Sequence, residues 1–173
     1  MKPFFLFLLL TNLVNAQELP NVSSGTIERI ENFQSKFVTP RNVDVWLPDN
    51  YSSTKQYNVL YMHDGQMLFD ANQTWNKQAW EVDEVMAKLI ASDKCQDIII
   101  VGIWNGVTTR HYDYFPQKAF EMLSAKQQDS IYKLDRSEGV KYFNGKVNSD
   151  NYLQFIVKEC SLSRQRAHIY CWK

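Results

Sequence analysis

Residues 57–70 read YNVLYMHDGQMLFD, and their first eight positions decide the fold class. Tyr57 to His63 are a nearly continuous apolar run that stops at Asp64-Gly65, a dipeptide that turns the chain sharply. A run of this kind predicts a strand covered on both faces, and therefore a central one. Downstream, QAWEVDEVMAKLIA (78–91) sets Trp80, Val82, Val85, Met86, Leu89 and Ile90 near helical spacing, with acids early and Lys88 late. DIIIVGIW (97–104) then reads as a second buried, β-branched strand. Strand, helix and strand in that order form a βαβ crossover and a parallel pair, so the class is α/β.

Upstream, TIERIENFQSKFV (26–38) alternates apolar and polar residues up to Pro40 and predicts a first strand. NVDVWLP (42–48) alternates through Val43, Val45 and Leu47 and closes on Pro48-Asp49-Asn50, giving an antiparallel hairpin partner. After the βαβ unit the pattern predicts a helix over 117–135, a Gly- and Asn-bearing loop over 136–149, and a helix over 151–159. In that last helix Tyr152, Leu153, Phe155 and Ile156 share a side. From Cys160 onward, CSLSRQRAHIYCWK loses the helical period. The expected organisation is therefore a leader over 1–16, one domain portion over 17–159 and a divergent tail over 160–173, of the kind a shifted reading frame produces.

With 19 basic and 19 acidic residues among 173, and a pI near 6.8, the chain has no electrostatic footprint for nucleic acid or an anionic membrane. Lys2, the apolar run Phe4 to Leu10 and Val14-Asn15-Ala16 have the order of a secretory signal peptide cleaved after Ala16. The expected location is thus secreted or periplasmic, and the apolar run is far shorter than the roughly 20 residues of a bilayer span. Cys95, Cys160 and Cys171 are an odd count at no metal-ligand spacing, so they define no disulfide framework.

Several ordered motifs carry a family likeness: RNVDVWLPDNY (41–51), YNVLYMHDGQMLFD (57–70), W-x₄-WEVDE (75–84), IIVGIWNG (99–106) and R-x-x-x-YFPQK (110–118). Over about residues 26–159 the chain resembles the N-terminal half of the putative-esterase branch of the α/β-hydrolase superfamily, which contains esterase D, feruloyl esterases and siderophore esterases. The resemblance implies antiparallel N-terminal strands leading into a parallel βαβ sheet whose C-terminal part is missing. It implies hydrolysis of a small-molecule or carbohydrate ester by a serine, with no cofactor and no metal. It also implies that the strand bearing the nucleophile would cover one side of 98–104, leaving that edge open here and prone to recruit other chains.

The serine of such enzymes sits in a G-x-S-x-G elbow, followed by the acid and the histidine. No such pattern occurs in the 173 residues, so no catalytic residue is assigned and the chain as written is expected to be inactive. What the resemblance leaves is half an oxyanion hole in the loop after the third strand. Gly65 there would let the backbone approach the substrate oxygen, and Gln66 and Met67 are the candidate N–H donors. The bland reading of Asp64-Gly65 is a tight turn. Asp64, Trp104, Asn105, Arg110, Tyr112 and Tyr114 are candidate cleft residues, since open α/β sheets bind ligands beyond the C-terminal ends of their strands. An aromatic cleft over 104–116 also supports a rival reading, a non-catalytic module that binds a carbohydrate or a partner. Asp70, Asn72, Thr74 and Glu81 fall in a calcium-loop register, but Trp75 occupies the position that needs glycine.

Overall fold

The computed structural model describes residues 17–161. The expected leader over 1–16 and, of the expected tail, residues 162–173 with Cys171 lie outside them. Strands β1 (Thr26–Phe33), β2 (Arg41–Leu47), β3 (Asn58–His63) and β4 (Ile98–Ile103) form one mixed sheet in the order β1-β2-β4-β3. β1 pairs antiparallel with β2 and β2 antiparallel with β4, while β3 runs parallel to β4 across helix α1 (Val82–Ala91). The antiparallel entry and the parallel βαβ unit are as the sequence reads, and the fold is α/β.

The order within the sheet corrects the expected centre. β3 lies at the edge of the described sheet, with Leu60 39% exposed, and β2 and β4 fill the middle. β4 is therefore flanked on both sides, so the open edge expected along 98–104 does not exist. β2 is more than a hairpin partner: Asp44 and Trp46 are buried on one face while Val43, Val45 and Leu47 are buried on the other. None of the six β3 residues is buried, so the covering of both faces that the apolar run predicts is not found among the described residues.

Each face of the sheet carries its own core. Val43, Val45, Leu47, Ile99, Val101 and Ile103 pack with Tyr152, Phe155 and Cys160. On the other side Trp46 and Ile100 pack with Leu68, Phe69 and Val82. The N-terminal segment is tied down by Asp83, whose Oδ2 accepts the Ser23 N–H at 2.7 Å and the Ser23 hydroxyl at 3.1 Å.

Other boundaries shift for local reasons. β1 stops at Phe33, not at Val38, because Asn32 takes φ 47° and the Ser35 hydroxyl oxygen accepts the N–H groups of Phe37 and Val38, a turn that competes with the ladder. The helix expected over 117–135 is two, α3 (Gln117–Glu121) and α4 (Ala125–Tyr132), with α2 (Arg110–Tyr114) preceding them. The break falls at Ser124, which forms a capping box with Gln127 and starts a new helix. The loop over 136–149 contains a small hairpin, β5 (Asp135–Ser137) and β6 (Val140–Lys141), turning at Gly139 with φ 71°.

Helix α5 (Ser149–Gln154) continues as a π-helical turn over Phe155–Cys160. Its wider turn places Cys160 in the same core as Phe155, whereas Leu153 is 54% exposed and does not share the face of Tyr152. The helix ends at Cys160, one residue past the expected Glu159, and Cys160, expected to begin the tail, packs in this core. Burial pushes its thiol up to about 12. No helix among the described residues is long and apolar enough to cross a membrane.

The 3-10 turn Gly65–Met67 seats directly on β4. A Cβ at Gly65 would lie 2.5 Å from the Gly102 carbonyl oxygen and 2.9 Å from Cδ1 of Trp104. Gly65→Ala should therefore destabilise the chain by about 1–3 kcal/mol, the usual cost of overpacking, measured as the shift of the urea unfolding midpoint.

Candidate active site

β3 and β4 end side by side, with His63 opposite Ile103, and the loops leaving them meet at Asp64. This residue takes the left-handed conformation, φ 55° and ψ 46°. Aspartate tolerates that conformation better than most residues. Asp64, not Gly65, is thus the residue that turns the chain. The close approach that Gly65 permits is to β4, not to a ligand position.

The Asp64 carboxylate is nearly enclosed. Oδ1 accepts Nε of Arg110 at 2.9 Å and Nδ2 of Asn105 at 2.7 Å, and Oδ2 accepts Nη2 of Arg110 at 2.7 Å. The Arg110 fork is thus bidentate, the strong geometry for a carboxylate. Tyr114, one turn along α2, donates its hydroxyl to Oδ1 at 3.5 Å and lies under the Arg110 guanidinium. Burial raises the Asp64 carboxyl, but the hydrogen bonds of Arg110 and Asn105 and the charge of Arg110 outweigh it, and the net shift is downward. Burial and the Asp64 charge together push Tyr114 up to about 12.

Asn105 is a clamp with three uses. Besides its bond to Asp64, its N–H donates to Oε1 of Gln66 at 3.1 Å and its Oδ1 accepts the Val107 N–H at 2.9 Å. The two candidate oxyanion donors then separate. The Met67 N–H is given to the Asp64 carbonyl at 2.8 Å. Gln66 N–H has no protein acceptor among the described residues.

Trp104 and Tyr112 do not join this cluster. The Trp104 indole N–H donates to Oδ2 of Asp44 at 2.8 Å, and Arg29 lies 4.7 Å over its ring. Tyr112 faces the other side of α2, among Phe120, Phe143 and Val147, with Gly145 against its ring. The aromatic residues over 104–116 therefore divide between two faces and form no continuous cleft.

Sequence reasoning assigned His63 no role, yet it completes the cluster. Its Nδ1 is 2.9 Å from the Tyr152 hydroxyl, and its ring lies 5.1 Å from Tyr114 and 5.5 Å from Tyr152. Burial, with help from the Arg110 charge, lowers its pKa against the pull of Asp64, so the neutral imidazole predominates at pH 7. Nothing in the local pattern linked positions 63 and 152, which are 89 residues apart. His111 stacks on Tyr142, away from Asp64. Asp70 of the calcium register accepts from Asn21 and Asn72. Among the described residues, no group of three or more His, Cys, Asp or Glu side chains is placed to hold a metal.

The family model for putative esterase matches residues 35–143, which include every residue of this cluster except Tyr152. The chain belongs to the putative esterase family. Solved structures similar to it include a ferulic acid esterase from Anaeromyces mucronatus in complex with ferulic acid, 17% identical, covering 83% of this chain and 43% of that one with a TM-score of 0.45. The BES protein from Bacillus cereus is 15% identical over 84% of this chain and 49% of its own, with a TM-score of 0.47. A feruloyl esterase module from Clostridium thermocellum, complexed with sinapinate, is 20% identical over 56% and 34%, with a TM-score of 0.36. The chain spans less than half the length of each. A comparison with curated proteins found no match.

Because the Asp64 carboxyl is depressed on folding, its stabilising contribution is present above the ordinary carboxylate pKa and is lost as pH falls. Asp64→Asn should cost about 1–2 kcal/mol at pH 7, a figure discounted for the partly exposed Arg110. Its urea midpoint should converge on that of the parent as pH drops below about 4.

Proposed function

We propose that this chain is the N-terminal half of a secreted carboxylic-ester hydrolase, holding the oxyanion-binding side of the site without its nucleophile. One observation carries the reading: in a chain of this family, the Gln66 amide stands without a protein acceptor, on a turn held from both sides at the C-terminal ends of two parallel strands. A donor that stabilises a developing oxyanion must be fixed before the reaction, because reorientation would consume the benefit. Gly65 fixes the turn against β4, and Asn105 fixes Gln66 through its side chain. Asp64 alone would oppose negative charge nearby. Arg110 and Asn105 offset that charge, which makes an anionic transition state compatible with the position.

The substrate is an ester of a small molecule or of a carbohydrate, and the leader over Met1 to Ala16 directs export. Mass spectrometry of exported protein should then find Gln17 as the first residue. A soluble product retaining Met1 to Ala16 would reject this part of the reading.

The 173 residues hold no G-x-S-x-G elbow, so the chain as written should show no serine-esterase turnover. Loss of the catalytic residues of such enzymes lowers kcat by about a millionfold even when the rest of the site remains. The test is hydrolysis of a short-chain nitrophenyl ester by the mature chain, beside a version extended in frame through a serine elbow. Activity confined to the extended chain supports the proposal. Phosphonate-sensitive activity in the chain as written would overturn it.

A further inference from the structure

The first turn of α1 holds two carboxyl groups that the Asp64 cluster and ester hydrolysis do not use. Asp83 is 0% exposed, and its Oδ2 takes both donors of Ser23, while its Oδ1 is buried with no partner among the described residues. In the next residue, Glu84, Oε2 is likewise buried and unpartnered. The two carboxyl groups are in hydrogen-bond contact with each other. As a pair of anions they offer acceptors only, which leaves both oxygens orphaned and sets like charges together. One proton, carried on Oε2 of Glu84 and donated to Oδ1 of Asp83, satisfies both at once.

The surroundings do not supply a cation in its place. Glu84 and Ser23 line a cavity of about 680 Å³, where Lys77 gives its ammonium to the Asn72 carbonyl at 2.8 Å. Asp70 and Glu81 line the same cavity and add negative charge. The N terminus of α1 favours one negative charge in its first turn, but two in contact repel. Burial raises the Glu84 carboxyl above its ordinary value against the pull of its own backbone N–H, and contact with Asp83 and the charges of Asp83 and Glu81 add to the rise.

We propose that Asp83 and Glu84 hold one proton between them, and that this proton latches residues 21–23 to the first turn of α1. It keeps Asp83 where Oδ2 reaches Ser23, and its loss leaves two desolvated like charges against that segment.

The same segment has a second tie of opposite sign. Oδ2 of Asp70 accepts the Asn21 N–H at 3.0 Å, and that bond, with those of Asn72, holds the Asp70 carboxyl below its ordinary value. A group lowered on folding stabilises above its unfolded pKa, and a group raised on folding stabilises below it. The Asp70 tie is therefore lost as pH falls through its depressed value, and the latch is lost as pH rises through the raised value of Glu84. Both are made together only between the two.

Carbon-13 NMR titration of the Glu84 carboxyl in the mature chain, with amide exchange at Ser23 and Asn21 followed over the same range, tests this. Glu84 should titrate above the ordinary value of about 4.3. Protection of the Ser23 N–H, corrected for intrinsic exchange, should be lost with the same midpoint, and protection of Asn21 should not change there. Glu84→Gln gives Asp83 a permanent amide donor and should keep Ser23 protected throughout. If that variant fails to fold, the titration of the parent decides the matter. A Glu84 midpoint at the ordinary value or a Ser23 amide that ignores the midpoint would overturn the proposal. So would a midpoint that calcium chloride or methylammonium chloride lowers more than sodium chloride at equal ionic strength, the sign of a cation in place of the proton.

Discussion

The contact on which the rest of this architecture depends is between two backbones, Gly65 against Gly102. A side chain at Gly102 would meet Cδ1 of Leu68 at 2.8 Å and Cα of Gly65 at 3.3 Å, so both glycines are needed for the turn to rest on the strand. Once it rests there, Leu68 fills the core beneath β4, and Asp64 is left facing the loop that follows β4. The cluster around Asp64 is therefore a product of packing. Its polar bonds select the orientation of groups that the close approach has already brought together.

Charge is handled in a consistent way around this contact. Three buried carboxylates, Asp44, Asp64 and Asp113, each take an arginine, and each arginine comes from a different element: Arg29, Arg110 and Arg41. The pairs of Arg29 with Asp44 and of Arg41 with Asp113 are buried on both sides, and such pairs add little net stability when complete, but removing one partner leaves a desolvated charge that costs about 3–5 kcal/mol. Their effect is to fix register. Arg29 and Asp44 lie directly opposite across β1 and β2, and Trp104 closes on the same carboxylate from beyond β4.

The α/β class and the parallel pair were legible because β-branched runs and a helical period are local signals. The position of β3 at the edge of the described sheet was not, since an apolar run records what a strand could bury and not what pairs with it or covers it, and β3 has no buried residue here. Asp64, Asn105, Arg110 and Tyr114 were readable as loop residues beyond strand ends. Trp104 and Tyr112 carried the same signal but are held by Asp44 and by a separate aromatic core. The pairing of His63 with Tyr152 rests on a contact between a strand end and a late helix, which no window of sequence spans. The change of pitch at Phe155 left no mark in the apolar pattern, and the end read at Glu159 fell one residue short of Cys160.

Helix α2 is only one turn and a residue long, yet Arg110 and Tyr114 hold the Asp64 carboxylate while Asp113 holds Arg41. So short an element is held between the carboxylate of Asp64 and the guanidinium of Arg41. Displacing it on one side must alter the bonds on the other, which makes the two sides thermodynamically linked. Such linkage is reciprocal: whatever loss of the bonds to Asp64 costs the pair of Asp113 with Arg41, loss of that pair costs the bonds to Asp64.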